Sequence, residues 1–172
     1  MAAPALTTTR LLLAMAVLCL TAVGIALVSQ HVFDMQPCPW CILQRLIYLA
    51  IAALCLISAA VSAGLVRRGI GVLTLLLALS GGASALYQEL VASKSQSCNL
   101  TFADKVISAL GLDGALPDLL AVRANCADAA VAILGVPYAY WSLALFAVLA
   151  WAALRVTRHP HTTLAAPASA RI

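Results

Sequence analysis

Two cysteines set three residues apart are the part of this sequence best suited to chemistry. Cys38 and Cys41 form a Cys-x-x-Cys motif, whose sulfurs can bridge across one helical turn and can make and break a disulfide repeatedly. Prolines flank Cys38 on both sides and an apolar run starts at Ile42, so we expect a helix to begin around Trp40 or Cys41. The partial positive charge at a helix N-terminus favours the nucleophilic thiolate. The motif therefore predicts reversible thiol–disulfide chemistry.

A second pair of cysteines, Cys98 and Cys126, lies in the longest polar stretch of the chain. A disulfide between them would close a long loop and stabilise it by about 3 to 4 kcal/mol in the chain-entropy model. Two interpretations stay open: a structural disulfide within the loop, or an exchange partner for the Cys-x-x-Cys motif. The remaining cysteines, Cys19 and Cys55, fall inside apolar stretches, and we interpret them as small buried hydrophobic residues.

Arg45 follows Cys41 by four residues, which places it one helical turn deeper on the same face. An arginine at the edge of an apolar helix costs free energy unless its charged end reaches water or finds a partner. Arg45 is therefore a candidate functional residue beside Cys41. The alternative is an arginine whose long side chain simply extends to the membrane surface.

The composition of the chain indicates what must position these residues. Of 172 residues, 64% are hydrophobic and only 9% are charged, which is too few charges for a soluble surface. A membrane span needs about 20 apolar residues. Four such stretches are present, at about 11–29, 42–66, 70–90 and 136–156, with a turn expected at Arg67-Arg68-Gly69. The sequence predicts one membrane domain over residues 1–172, an all-α integral membrane protein with a bundle of four transmembrane helices.

The distribution of charge predicts how the helices are oriented. With four spans both termini share a side, and that side holds six arginines and no acidic residue: Arg10, Arg67, Arg68, Arg155, Arg158 and Arg171. By the positive-inside rule the termini and the tail at 157–172 are cytoplasmic, and the loops at about 30–41 and 91–135 lie on the outer side, where disulfides persist. The basic residues form no Lys/Arg-rich run, so nucleic-acid binding is not predicted.

The long outer loop contains a segment with a helical amphipathic pattern. Apolar residues between Val106 and Val122 alternate with charged ones, which is typical of a short helix at the membrane interface with its apolar side down. Such a helix would hold the loop near the Cys-x-x-Cys helix, so that the two cysteine pairs meet; a loop that simply packs on the bundle is the alternative. In the third span, small residues at 80–85 favour close helix packing, with access for a flat ligand as the second interpretation.

The order of these features resembles the bacterial disulfide bond formation protein B (DsbB) family. The shared features are four spans, a Cys-x-x-Cys motif that opens the second span, Arg45 four residues after Cys41, and a second cysteine pair in the outer loop. Gly135-Val136-Pro137, followed by Trp141, matches the Gly-x-Pro…Trp start of the family's fourth span. The resemblance covers most of the chain.

The resemblance implies an oxidoreductase of the bacterial inner membrane that reoxidises a periplasmic DsbA-like thioredoxin-fold protein and passes the electrons to ubiquinone or menaquinone. By position, Cys98 would be attacked by the partner's thiolate, and Cys126, once released, would exchange with Cys38. Cys41 would then become the thiolate that engages the quinone. Arg45 would lie beside the quinone and stabilise negative charge as it is reduced. The active site would face the periplasm.

Two features depart from the family pattern. Family members often carry a histidine near the outer end of the third span, where this chain has Tyr87-Gln88-Glu89. The dipeptide inside the Cys-x-x-Cys motif is Pro39-Trp40. The role of that histidine and the redox poise of the motif are therefore open in this chain.

Three rival interpretations fit part of this pattern. A vitamin K epoxide reductase-like enzyme also couples such cysteines to a quinone, but its loop pair precedes a Cys-x-x-Cys motif near the last span. The four outer cysteines could bind structural zinc, although their spacing lacks two tight knuckles. A membrane scaffold with structural disulfides would need no electron acceptor. His159 and His161 lie in a tail interpreted as disordered, and no metal site is predicted there.

Overall fold

The computed structural model describes residues 8–61, 63–94, 101–111, 114 and 116–159. In chain order the elements are α1 (Thr8–Val32), α2 (Pro39–Ala60), α3 (Gly64–Leu90), a 3₁₀ turn (Ala92–Lys94), α4 (Phe102–Ala109), α5 (Pro117–Leu120), β1 (Ala132–Ile133), β2 (Val136–Pro137) and α6 (Tyr138–Arg158). Among the described residues, four helices, α1, α2, α3 and α6, are long and apolar enough to cross a membrane. The predicted all-α bundle of four transmembrane helices is confirmed.

Helix α2 connects the two halves of the bundle. It packs on α1 and on α3, and α3 in turn packs on α6, while α1 and α6 share a smaller contact. Ile51 and Cys55 of α2 and Cys19 of α1 are fully buried in the core between the helices. Cys19 and Cys55 are therefore buried, as predicted. Many large apolar side chains on the outer faces stay exposed, such as Val17 and Leu76, which suits contact with lipid.

Helix α2 ends at Ala60 and α3 begins at Gly64, and the prediction of a turn at Arg67-Arg68-Gly69 is wrong because these three residues belong to α3. Arg67 explains the earlier end of α2. Its Nε donates to the carbonyl oxygens of Ser58 at 3.2 Å and Val61 at 2.6 Å, which satisfies backbone acceptors where α2 ends. One terminal nitrogen of the Arg67 guanidinium donates to the hydroxyl oxygen of Thr9 in α1, at 3.3 Å.

Small residues allow α3 and α6 to approach closely. A methyl group added at Gly81 would overlap the ring of Phe146, which is fully buried in α6. The interpretation of residues 80–85 as a close-packing stretch is therefore confirmed at Gly81. At the end of the bundle where α1 begins and α6 ends, the Thr8 hydroxyl donates to the His159 carbonyl oxygen at 2.8 Å, so the first and last described residues meet there.

The amphipathic segment predicted between Val106 and Val122 is not one helix: α4 begins before it, at Phe102, and ends at Ala109, and α5 follows at Pro117–Leu120. Thr101 caps α4: its hydroxyl accepts from the backbone N–H of Asp104, whose carboxylate accepts from the backbone N–H of Thr101. Ile107 of α4 is buried against Ile42 of α2 and Leu120 of α5. The loop therefore packs on the end of the bundle at which α2 begins, which we call the cysteine end.

A two-residue turn leads the chain into α6. Strands β1 and β2 pair antiparallel, with Ile133 opposite Val136. Leu134 and Gly135 between them both have left-handed backbones, with φ of 55° and 78°, as a tight hairpin turn requires. Glycine suits this conformation and leucine does not. The Gly-x-Pro sequence thus closes a hairpin whose second strand runs directly into α6.

Candidate redox site

The Cys-x-x-Cys motif forms the first turn of α2. Pro39 occupies the first turn, where its missing N–H costs nothing. Cys38 is the N-cap, and its sulfur accepts a hydrogen bond from the backbone N–H of Cys41 at 3.4 Å. The two sulfurs are 2.8 Å apart, so a small movement brings them to the disulfide bond length of about 2.0 Å. Helix α2 begins at Pro39, slightly before the predicted start at Trp40 or Cys41, and it places the motif at a helix N-terminus as predicted.

Cys126 completes a group of three sulfurs at the cysteine end. Cys38 is fully buried and packs with Cys126 and Ala92 in one small cluster. The segment before Cys126 is held in place because the backbone N–H groups of Arg123 and Ala124 both donate to the Pro37 carbonyl oxygen, at 3.0 and 3.2 Å. Cys98, the fourth predicted site residue, lies outside the described residues.

The sulfurs of Cys38 and Cys126 differ in proton affinity. Hydrogen bonding to Cys126 and Cys41, together with burial, raises the pKa of the Cys38 thiol. Hydrogen bonding from Cys38, assisted by the backbone N–H of Trp40, lowers the pKa of Cys126 against the opposing effect of burial. Cys38 therefore keeps its proton, and Cys126 is the better thiolate of the two.

Arg45 is buried within the bundle. Its side chain is 6% exposed, so it does not extend to the surface as the alternative interpretation required. One terminal nitrogen donates to Oε1 of Gln30 at 2.7 Å and to the Leu119 carbonyl oxygen at 3.1 Å, and the other donates to the Ala26 carbonyl oxygen at 3.3 Å. These three acceptors are neutral, so they orient the guanidinium without neutralising its charge.

A cavity of about 840 Å³ lies between α1, α2 and α6 and reaches the motif. The walls are mostly apolar. The side chains of Cys41 and Arg45 both face into it, as do those of Tyr138 and Trp141 from α6. The structure thus brings Cys41 and Arg45 to one cavity, in agreement with their spacing in the sequence. Large apolar cavities with a few convergent polar groups are typical small-molecule sites.

The two departures from the family pattern contact each other at this site. The Trp40 ring packs on the Tyr87 ring, with 4.8 Å between centroids. The neighbouring Gln88 donates from Nε2 to the Cys41 sulfur at 3.3 Å. Residues 87 and 88 of α3 therefore contact the motif even though no histidine is present among Tyr87-Gln88-Glu89.

Sequence reasoning missed most of the polar side chains behind the motif. Gln88 accepts from Gln44, Gln44 accepts from the hydroxyl of Ser142, and Ser142 contacts the hydroxyl of Tyr48, all of them buried. Gln30, which holds Arg45, was also missed. The available signal was the occurrence of polar side chains inside apolar spans, where each unpaired donor or acceptor is costly.

Three clustered sulfurs at one end of a bundle of membrane-spanning helices define the class: a membrane protein equipped for thiol–disulfide exchange. The model of the family described as "Disulfide bond formation protein DsbB" matches residues 8–156. The chain belongs to this family, and it is a membrane oxidoreductase of disulfide bond formation.

Curated relatives agree with the family match. The chain is 35% identical over 145 residues to Disulfide bond formation protein B 1 of Pseudomonas savastanoi pv. phaseolicola, covering 82% of this chain and 84% of the relative. It is 33% identical over 154 residues to Disulfide bond formation protein B of Aromatoleum aromaticum, covering 85% and 90%. It is 34% identical over 140 residues to the Ralstonia nicotianae protein of that name, covering 80% and 86%.

Proposed function

We propose that this protein is a quinone-dependent thiol oxidase that reoxidises a DsbA-like thioredoxin-fold protein. The observation that carries the proposal is the position of the Cys38 sulfur, which contacts Cys41 on one side and Cys126 on the other. A sulfur in that position can pass a disulfide from one pair to the next. Electrons would run from Cys98 and Cys126 to Cys38 and Cys41, and then to the quinone.

The proposed exchange takes two thiol–disulfide steps. A thiolate of the partner attacks Cys98 in a Cys98–Cys126 disulfide, and the bond to Cys126 breaks, which leaves Cys126 as a thiolate. The backbone N–H of Trp40 lowers the pKa of Cys126, and this donor is present whether Cys38 is a thiol or part of a disulfide, so it favours Cys126 both as the leaving group and as the next attacking thiolate. Cys126 then attacks the Cys38 sulfur of a Cys38–Cys41 disulfide. The electron pair of the broken bond goes to Cys41, which becomes the thiolate.

The cavity beside Cys41 fits a quinone. It is large, mostly apolar and lined by Cys41 and Arg45, so an apolar ring carrier from the bilayer could reach both. A quinone supplies the electron sink, since it accepts the two electrons and two protons that a dithiol gives up on forming a disulfide. Arg45, held by Gln30 and two backbone carbonyls, places a fixed positive charge in the cavity, where it stabilises negative charge on Cys41 or on a bound ligand.

We further propose that the cysteine end faces the periplasm from the inner membrane. The opposite end of the bundle carries Arg67, Arg155 and Arg158 near the helix ends, which favours the cytoplasm by the positive-inside rule. The three described outer cysteines then lie in the compartment where disulfides form and persist. A DsbA-like partner would meet the protein on this side.

A quinone consumption assay tests the proposed function. The purified protein is mixed with a reduced DsbA-like protein and a ubiquinone analogue, and the quinone absorbance is followed. We expect steady consumption by the wild type and none above background by Cys41→Ser. Cys19→Ala is the matched control because Cys19 is buried in the core and is not among the residues that line the cavity, and it should keep the wild-type rate. If the wild type consumes no quinone, or if Cys41→Ser matches it, the proposal is wrong.

A further inference from the structure

A row of buried polar side chains from three helices ends at the Cys41 sulfur. Gln88 Nε2 donates to Cys41 Sγ at 3.3 Å, and Gln44 Nε2 donates to Gln88 Oε1 at 2.7 Å. The Ser142 hydroxyl donates to Gln44 Oε1 at 2.6 Å, and the hydroxyls of Tyr48 and Ser142 are 2.8 Å apart. All four polar residues are buried. We call Tyr48, Ser142, Gln44 and Gln88 the polar row.

The hydrogen bonds of the polar row all run in one direction. Ser142 has one hydroxyl proton, and it goes to Oε1 of Gln44, which can only accept. The hydroxyl of Tyr48 must then donate to Ser142, either to its side-chain oxygen or to its carbonyl oxygen at 3.2 Å. Because the oxygen of each glutamine amide is occupied by a donor, its NH₂ group points onward. Every donor in the row therefore points towards Cys41.

We propose that Gln88 is a positioning residue whose N–H group stabilises negative charge on the Cys41 sulfur, and that Tyr48, Ser142 and Gln44 fix its orientation. Hydrogen bonds aligned in a chain polarise one another, and their effect is larger inside a low-dielectric bundle than in water. The inference rests on the proposed function, in which Cys41 is the sulfur that leaves as a thiolate.

An amide suits this position because its N–H group stabilises negative charge on the Cys41 sulfur, while the amide itself does not take up the proton that the thiol loses. A carboxylate at residue 88 would repel the thiolate, and an amide does not. Within the part of the chain that the structure describes, the titratable or charged groups that act on Cys41 from the packed segments are Cys38, Cys126, Arg45 and Tyr138. Arg45 acts as a charge within the cavity, and the polar row, which lines the same cavity, adds neutral donors from α2, α3 and α6.

The test measures the reactivity of Cys41 as a function of pH. The full-length protein is reduced in detergent and labelled with iodoacetamide, and tandem mass spectrometry separates labelling at Cys41 from labelling at Cys38. Only the thiolate reacts, so the pH at half-maximal rate reports how well negative charge is stabilised. In Gln88→Met, which keeps side-chain length but has no donor, we expect this pH to rise by about one unit.

Two further variants probe the direction of the row without touching Cys41. Ser142→Ala removes the donor that orients Gln44, and Tyr48→Phe removes a hydroxyl while keeping the ring stacked on Phe146, 4.3 Å between centroids. Both should raise the pH of half-maximal labelling, by less than Gln88→Met does. Thr74→Val is the matched control. It also removes a buried hydroxyl from a span, but that hydroxyl has no hydrogen-bond partner among the described residues, so the profile should stay in place.

Unchanged profiles in Gln88→Met and Ser142→Ala, with melting temperatures near that of the wild type, would overturn the inference. Should Gln88→Met fail to fold, the Ser142→Ala and Tyr48→Phe profiles decide it alone: an upward shift in both supports the inference, and wild-type profiles overturn it. The labelling uses neither quinone nor partner. A wild type that labels as expected but consumes no quinone would therefore contradict the proposed function and not the stabilisation of the sulfur.

Discussion

Replacing Arg45 by alanine removes a buried positive charge from the cavity that Cys41 also lines. A unit charge acting on another at about 5 Å, with an effective dielectric constant of about 20, contributes about 3 kcal/mol. Removal of a single electrostatic stabiliser from an active site typically slows turnover about 100-fold to 1000-fold. We therefore expect Arg45→Ala to slow quinone consumption about 100-fold. The mixed disulfide between the partner and Cys98 should form as in the wild type.

The assay compares quinone consumption with the yield of partner mixed disulfide on non-reducing gels. Arg45→Lys keeps the charge but lacks the planar fork that reaches Gln30, Leu119 and Ala26, so an intermediate rate is expected. Arg155→Ala is the matched control, because Arg155 packs over the Trp151 ring near the far end of α6. Thermal melting separates a loss of folding from a loss of rate. A folded Arg45→Ala protein with the wild-type quinone rate would refute the reasoning.

Three further predictions concern single side chains. Cys38→Ala removes the thiol that lowers the pKa of Cys126, so alkylation of Cys126 should need a higher pH; an unchanged pH profile would contradict this. Gly81→Ala forces a methyl group into the Phe146 ring and should lower the free energy of unfolding by about 1 to 3 kcal/mol. Its melting temperature should therefore lie below that of the control Gly82→Ala, where the added methyl group makes ordinary contacts. Leu134→Asn relieves a left-handed leucine at an exposed turn and should stabilise the fold by about 1 kcal/mol; a drop in melting temperature would argue against strain there.

The sequence predicted the transmembrane helices because each of them requires a long run of apolar residues. Four such runs became α1, α2, α3 and α6. The predicted turn between α2 and α3 was wrong because two adjacent arginines in an apolar stretch suggest a loop, and the sequence does not show the tertiary contacts that such arginines make. Arg67 lies within α3, yet it satisfies the carbonyl oxygens of Ser58 and Val61 where α2 ends. A side chain that caps a neighbouring helix looks, in sequence, like a loop residue.

The candidate site was predictable in part for a similar reason. Cys38, Cys41 and Arg45 lie within one stretch of helix, so their spacing alone predicts that they are neighbours. Gln88 and Ser142 lie on other helices, and only the packing of α3 and α6 brings them to Gln44. Their contacts depend on helix rotation and depth, which a single sequence does not specify. A polar residue in an apolar run predicts that a partner exists, but it does not identify the partner.

The exchange between Cys126 and Cys38 is the central step of the proposed function, and trapping a disulfide between these two cysteines tests it most directly. In Cys41→Ala the reduced partner attacks Cys98 and releases Cys126, and a mild oxidant then takes two electrons from the Cys38 and Cys126 thiols and joins them in a disulfide. No Cys41 thiolate is present to reopen that disulfide by attack on Cys38. Non-reducing peptide mapping by mass spectrometry would detect the bond. The account predicts a Cys38–Cys126 disulfide, and it predicts that Cys55→Ala, a buried cysteine of the core, yields none beyond the wild-type level. A Cys38 that stays a free thiol under these conditions, with Cys126 joined only to Cys98, would contradict the account.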